Sequence, residues 1–484
     1  MLPDDYENLS ESVVASLLFS NNILAYITTG NYWDVVNDYK PLMHTWYLGI
    51  IVEFYVLFPL FILLVKRWKD KGIKICIWLL TVISFLLYIL PVASDASKFY
   101  LIPFRFFEFG VGGMIALYSD WIIKVKGTYK KTCFFAIILL LLTLCWGLTP
   151  YRIPSTILLL ITVCLTGISL LYNKRVDVPS IIATIGKMSL SIYIWHQIIF
   201  AFFRYYLGKN NSLSEYLIMV LILVALSMLT YMLVEKRIKL NKRSIVITII
   251  VWALAFIAPV KIYLQAGIIR DVPELNIIKG ESHRGIFAEY SDRIYSFDKD
   301  FIGHDKINVF VVGNSFARDW ANVLLESGYV DSIQLSYVHN TNPDYLKKVE
   351  KRVKDADIIF IHSEMKNAPE AILLAMDSKP VWAIGVKNFG ESNGMIYSQR
   401  HKKDYLKTIV DCSTEILVQN EQWKQEWDDH YIDMIEPVRD GVGKVRVFTD
   451  EGLFISMDTR HLTQAGAKYY VKHLDINKYF KNKQ

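Results

Sequence analysis

Apolar positions along the chain fall into two patterns that meet near residue 265. Before it, runs of Leu, Ile, Val and Phe recur at short intervals, and Ile137 to Leu144 is broken only by Thr143. A hydrocarbon core about 30 Å thick takes about 20 helical residues. Eight segments approach that length: 44–65, 73–91, 101–119, 132–149, 154–172, 189–207, 213–234 and 245–264. An all-α polytopic bundle of about eight spans is therefore expected over 44–264. Residues 13–28 are also apolar, but Ser20, Asn21 and Asn22 interrupt them, so 1–43 reads as a separate N-terminal segment. After Gln265 come Gly267, Pro273 and frequent charge, with little periodicity over a linker at 265–305. From Ile307, short apolar runs (308–312, 332–337, 357–361, 380–386, 444–448) alternate with helical stretches. That alternation predicts an α/β domain over 306–484, a doubly wound parallel sheet. Such sheets bind ligands at the carboxyl ends of their strands.

Charge orients the spans. The loops after the first, third, fifth and seventh spans hold seventeen Lys and Arg, Lys66, Lys130, Arg175 and Arg237 among them. The intervening loops hold three, Lys98, Arg152 and Lys209. The positive-inside rule puts the first set in the cytoplasm. Both ends of the spanning region, 1–43 and the α/β domain, then face outward. The totals, 53 basic and 47 acidic residues, are too balanced for a nucleic-acid binder. Hydrophobic residues at 53% and charged residues at 21% exclude a disordered chain. The five cysteines form no CxxC pair, and the histidines of the polar half show no metal-ligand spacing, so no metal and no bound cofactor is expected.

Two short motifs in the α/β domain carry candidate chemistry. The first predicted strand runs into Gly313-Asn314-Ser315, and a helix follows. A serine there meets the backbone N–H groups and positive dipole of a helix N-terminus, which suit a nucleophile whose attack creates an oxyanion. Near the chain end, Asp458-Thr459-Arg460-His461 precedes the last helix. Asp and His at that spacing can aim an imidazole at a serine hydroxyl. Asn388, in a Gly-flanked loop after the fourth strand, is an oxyanion-donor candidate, although a turn is the simpler role for it.

Ionisable side chains inside spans cost about 2.5–3.5 kcal/mol each on insertion scales, so each invites a functional reading. Here they are His44, Glu53, Arg105, Glu108, His196 and Glu235. Arg105 and Glu108, three apart, share a helix face and can pair. His196 lies nine residues past Lys187, about 13 Å deep at the helical rise of 1.5 Å per residue. An ion pair or interfacial cap accounts for any one of them; the set together points to a polar path through the bundle.

The placement of Ser315 after the first strand and Asp458-x-x-His461 before the last helix resembles the SGNH (GDSL-type) hydrolases over about 305–480. The resemblance implies Ser315 as nucleophile, His461 as general base and Asp458 as its partner. Asn314 stands where that family usually has Asp. In the membrane region, Pro41-Leu42-Met43-His44-Thr45-Trp46-Tyr47-Leu48-Gly49 with Phe54-Tyr55 resembles the acyltransferase family 3 domain. So do Pro103 with Arg105 and Glu108, Ser191-Ile192-Tyr193-Ile194-Trp195-His196, and Tyr231 with Glu235. Glu53 stands where relatives often have Gln. Branches of that family carry an SGNH domain after an extra helix. The resemblance implies ten membrane helices and one more, so eight spans leave three short at the start, with the family's first-helix histidine among them.

Together these resemblances imply a membrane O-acyltransferase. Acetyl-CoA would be donor substrate on the cytoplasmic side. The acetyl group would pass outward along the region of His196, Arg105 and Glu108, with His44, Glu53, Tyr193 and Glu235 as further candidates in the membrane domain, and Ser315 would hand it to a hydroxyl of a cell-surface polysaccharide. Water in place of the sugar would make the same triad a membrane-anchored esterase, and a chain lacking its first helices would be an inactive acyltransferase.

Overall fold

The computed structural model describes residues 1–28, 35–118, 137–140, 155–173, 180–208, 212–237, 241–280, 286–303, 305–390 and 392–480. They form two compact units, one of 9–260 and one of 1–8 with 261–484.

In the first unit, five helices among the described residues are long and apolar enough to cross a membrane, where eight were expected. They are Met43–Trp68, Lys71–Ile89, Asp95–Leu117, Leu213–Glu235 and Lys242–Leu264. Most of the expected span 132–149 lies outside the described residues. The span expected at 154–172 has a shorter apolar stretch, Thr156–Ser169. The helix Ser189–Leu207 has the length but carries His196, Gln197 and Arg204, which make it too polar to count. Helices here approach closely where small residues allow it. A Cβ on Gly110 would lie 2.1 Å from Thr81 Oγ1, and Ser84 Oγ donates to Pro103 O at 2.7 Å. The polar interruption at 20–22 is an inward contact. Asn21 Nδ2 donates to Leu42 O at 2.9 Å and to Thr45 Oγ1 at 2.8 Å, and Asn22 Nδ2 donates to Glu53 Oε1 at 2.9 Å.

The second unit is built on a parallel sheet of five strands, β1 (Ile307–Gly313), β2 (Ile333–His339), β3 (Ile358–Ile361), β4 (Val381–Ile384) and β6 (Tyr431–Ile432). Their spatial order is β2-β1-β3-β4-β6. Side chains alternate across it. Val309, Val311, Ile358 and Phe360 pack with Trp320 and Tyr470, from the helices Ser315–Glu326 and Gln464–His473. Phe310, Val312, Ile359 and Ile361 pack on the other face with Val349 and Trp423, from Tyr345–Asp355 and Thr414–Trp427. Both faces are thus covered, which is why β3 is apolar throughout and β1 is apolar from Val309 to Val312. The run expected as a parallel strand at 444–448 does not join this sheet. Its first residues form β7 (Lys444–Arg446), antiparallel to β5 (Ile409–Asp411) in a separate two-stranded sheet. The segment 265–305 contributes buried Ala266, Ile268, Val272, Ile277 and Ile294 to the core.

Two local constraints generate predictions. A Cβ on Gly466 would lie 1.9 Å from the backbone oxygen of Ile455. Gly466→Ala should destabilise this unit by about 1–3 kcal/mol, the usual cost of overpacking, read from thermal melts of the full chain in detergent. Arg352, 3% exposed, donates to Asp300 and pairs with Asp298, which Lys348 also holds. Burial works against Asp298, but the hydrogen bonds from Lys348 and Arg352 outweigh it and hold its carboxyl low; those from Lys351 and Arg352 hold Asp300 low. A carboxyl whose folded pKa is depressed stabilises the fold above its unfolded value and loses that contribution as pH falls through the folded one. Melting temperature should therefore fall on acidification below about pH 4, and less steeply in Asp298→Asn/Asp300→Asn.

Candidate active site

β1 lies inside the sheet, between β2 and β3, and its carboxyl end turns at Gly313, where φ is +142°. A Cβ there would meet His362 Cβ at 3.0 Å and Ala317 Cβ at 3.1 Å, so only glycine fits without displacement. Asn314 caps the next helix: its Oδ1 accepts the Phe316 N–H at 2.9 Å. Tyr337, from β2, donates its hydroxyl to Asn314 O at 3.3 Å. Ser315 is the first residue of this helix and is half-buried.

The facing side chain comes from a turn between Ser456 and Leu462, closed by an antiparallel bridge. Asp458 organises it. Its Oδ1 accepts the N–H groups of Arg460 at 2.6 Å and His461 at 2.7 Å, while Oδ2 meets His461 Nδ1 at 2.6 Å. His461 Nε2 lies 2.9 Å from Ser315 Oγ. Partial burial raises the Asp458 carboxyl, but the imidazole and the two backbone N–H groups outweigh that and hold it below the ordinary carboxylate range. It is therefore the anion needed to keep the proton on His461 Nδ1, leaving Nε2 to accept from the serine. The side chains of His461 and Asp458 are 27% and 50% exposed.

Around this trio lie residues that sequence reasoning did not single out. Phe316 stacks on His362, with ring centroids 4.8 Å apart and planes at 5°. Burial pushes the His362 imidazole down to about 4, and its Nδ1 donates to Ile384 O at 2.8 Å. It is a neutral packed ring. Lys387 pairs with Asp319, both buried. A lysine between Val386 and a Phe389-containing loop, beside an apolar strand, was the available signal. Asn388 is occupied locally: its Oδ1 accepts from Gly390 N at 3.0 Å and Ser413 N at 3.1 Å, and its Nδ2 donates to Gly390 O. That is the bonding of a turn asparagine.

In the helical unit the selected ionisable residues fall into small groups. The His44 ring lies 5.0 Å from each of the Tyr193 and His196 rings, centroid to centroid. Tyr193 donates its hydroxyl to His44 O, and His196 Nδ1 lies 2.6 Å from Tyr193 O. Arg105 pairs with Glu108 at 2.5 Å, donates to Phe99 O at 3.1 Å and lies over the Phe99 ring at 4.7 Å. Glu53 accepts from Asn22, and Glu235 accepts from buried Ser191. Asn22 and Ser191 were thus the unrecognised partners. No group of three or more His, Cys, Asp or Glu suited to a metal occurs among the described residues.

Residues 11–232 match a family model described as an acyltransferase domain. An uncharacterized protein of Haemophilus influenzae is 25% identical over 148 residues, covering 29% of this chain and 60% of its own length. The O-acetyltransferase OatA of Staphylococcus aureus is 27% identical over 246 residues, 45% of this chain and 40% of that protein. A putative O-acetyltransferase of Staphylococcus aureus is 22% identical over 252 residues, 48% of this chain and 42% of that protein. The chain thus spans 60% or less of the length of these curated relatives. No solved structure matches it. The residues matched by that family model fall within the helical unit.

Proposed function

We propose that the protein is a membrane O-acetyltransferase that draws acetyl groups from acetyl-CoA and esterifies hydroxyls of a cell-surface polysaccharide through Ser315. The observation that carries the last step is the chain of hydrogen bonds from Ser315 Oγ through His461 to Asp458, at 2.9 and 2.6 Å. The membrane-spanning helices and the acyltransferase domain support the rest. The charge bias of the loops supports an extracytoplasmic α/β unit, on the side where the acceptor lies.

In the proposed reaction Ser315 Oγ attacks the acetyl carbonyl carbon and its proton passes to His461 Nε2. Asp458 stabilises the imidazolium. The oxyanion develops at the start of the Ser315–Glu326 helix, where the Ser315 N–H and the helix dipole oppose its charge. Collapse expels the leaving group, which takes the proton from His461. An acceptor hydroxyl then gives its proton to His461 and attacks the acetyl-serine, forming the new ester and restoring the serine. The exposure of His461 and Asp458 also admits water to the acetyl-serine. Ester hydrolysis is accordingly the second reading, with the same residues and a different acceptor.

Full-length protein in membrane vesicles, supplied with radiolabelled acetyl-CoA and purified cell-surface polysaccharide, distinguishes the readings by where the label goes. Label on the polysaccharide supports transfer; label only in free acetate supports hydrolysis. Ser315→Ala should lower either outcome by at least about 1,000-fold, as nucleophile removal does in serine hydrolases. Asp458→Asn should lower it by about 10,000-fold through the wrong imidazole tautomer. Parental activity in Ser315→Ala removes Ser315 from the reaction.

A second expectation separates the units. His196→Ala and Arg105→Ala should stop transfer from acetyl-CoA while leaving Ser315-dependent hydrolysis of a soluble activated acetyl ester at the parental rate. Loss of both activities in a variant that remains folded would assign these residues no distinct role in passing the acetyl group.

A further inference from the structure

Asp319 and Lys387 form an ion pair of 2.8 Å with each side chain 1% exposed. Such a pair adds little net stability, because desolvating two charges offsets their attraction. Its connections are more informative. Asp319 lies four residues after Ser315 on the same helix, so the two share a face. Asp319 Oδ2 also accepts the backbone N–H of Leu462 at 3.0 Å, immediately after His461. Lys387 Nζ lies 4.1 Å from the centroid of the Phe316 ring, immediately after Ser315. Two residues beyond Lys387, the Phe389 N–H donates to Thr459 O at 2.9 Å, inside the Asp458–His461 turn.

The bonds made by Asp458 all lie within its own turn. They orient the imidazole relative to that turn, and leave the register between turn and nucleophile helix to other groups. We propose that Asp319 and Lys387 are positioning residues that set this register and so hold His461 Nε2 at hydrogen-bonding distance from Ser315 Oγ. The inference rests on Ser315 being the nucleophile. Asp319 supplies the tie from the serine's helix to the backbone beside the histidine. Lys387 faces that carboxylate at 2.8 Å and so fixes its position inside the core. Its loop adds the second tie through Phe389.

The test is the rate at which a biotinylated fluorophosphonate labels Ser315 in the full chain in detergent. Labelling forms the Oγ–P bond, breaks the P–F bond and releases fluoride, while the hydroxyl proton goes to His461. It therefore reads nucleophile activation without either natural substrate. The variants are Asp319→Asn, which keeps the shape, and Asp319→Leu/Lys387→Met, which replaces the pair by apolar groups of similar size. Both should label about 100-fold more slowly at saturating probe, the scale of a misplacement of about 1 Å, with probe affinity unchanged. The double variant should still melt cooperatively, since apolar replacement of a buried pair is commonly neutral or stabilising and the cost is limited to the Leu462 N–H left without its acceptor. Parental labelling rates in either folded variant overturn the proposal, as does a loss confined to melting temperature. Ser315→Ala is the control for the underlying reading: labelling undiminished there overturns the nucleophile assignment itself, whereas its loss with a parental double variant overturns only the positioning role.

Discussion

The hydrogen bond between Ser315 and His461 joins residues 146 positions apart. Loop closure over such a length costs only slightly more entropy than over a shorter one. Holding two half-exposed side chains at 2.9 Å is the harder requirement, because an exposed polar contact contributes little by itself. The geometry must come from rigid elements on both sides. Ser315 is placed by the end of β1, inside the sheet, and by a turn that leaves no room for a Cβ at Gly313. His461 is placed by a turn that Asp458 bonds from within, and by Thr463, whose hydroxyl caps the last helix at Gly466 N. Gly466 in turn presses that helix onto the Ile455 carbonyl. The candidate site is thus a product of packing below it.

The helical unit answers a different constraint. Its outward faces expose Leu64, Leu221 and Leu254, an apolar surface suited to lipid. An uncompensated charge there would be costly. Each acidic side chain singled out in its sequence meets a donor instead: Glu53 meets Asn22, Glu108 meets Arg105 and Glu235 meets Ser191. Two of these donors are neutral and short. Polar residues that look like interruptions in an apolar run are therefore the compensation for charges elsewhere.

The sequence was most legible where periodicity and burial agree. β1 and β3 are buried on both faces, so their apolar runs mark them within a residue or two. β6 has only two residues, too few for any period, so its place in the sheet went to the longer run at 444–448, which instead pairs with β5. Among the described residues five helices are long and apolar enough to cross a membrane, while Ser189–Leu207 has the length of a span but carries His196, Gln197 and Arg204, which lower its mean hydropathy. Ser315 and the Asp458–His461 pair were visible because each sits at a strand or helix boundary with recognisable turn chemistry. Asp319 and Lys387 were not, since nothing in a linear chain marks two charges 68 residues apart as neighbours inside a core.

Phe316, next to the serine, stacks on buried His362, while the side chains of His461 and Asp458 are partly exposed. On the function proposed above, a hydroxyl-bearing acceptor meeting side chains exposed to this degree need not be swallowed whole. Chain length would then impose no entry barrier: a long polymer could lie across the opening and offer one of its many hydroxyls at a time, with the remainder still in solvent.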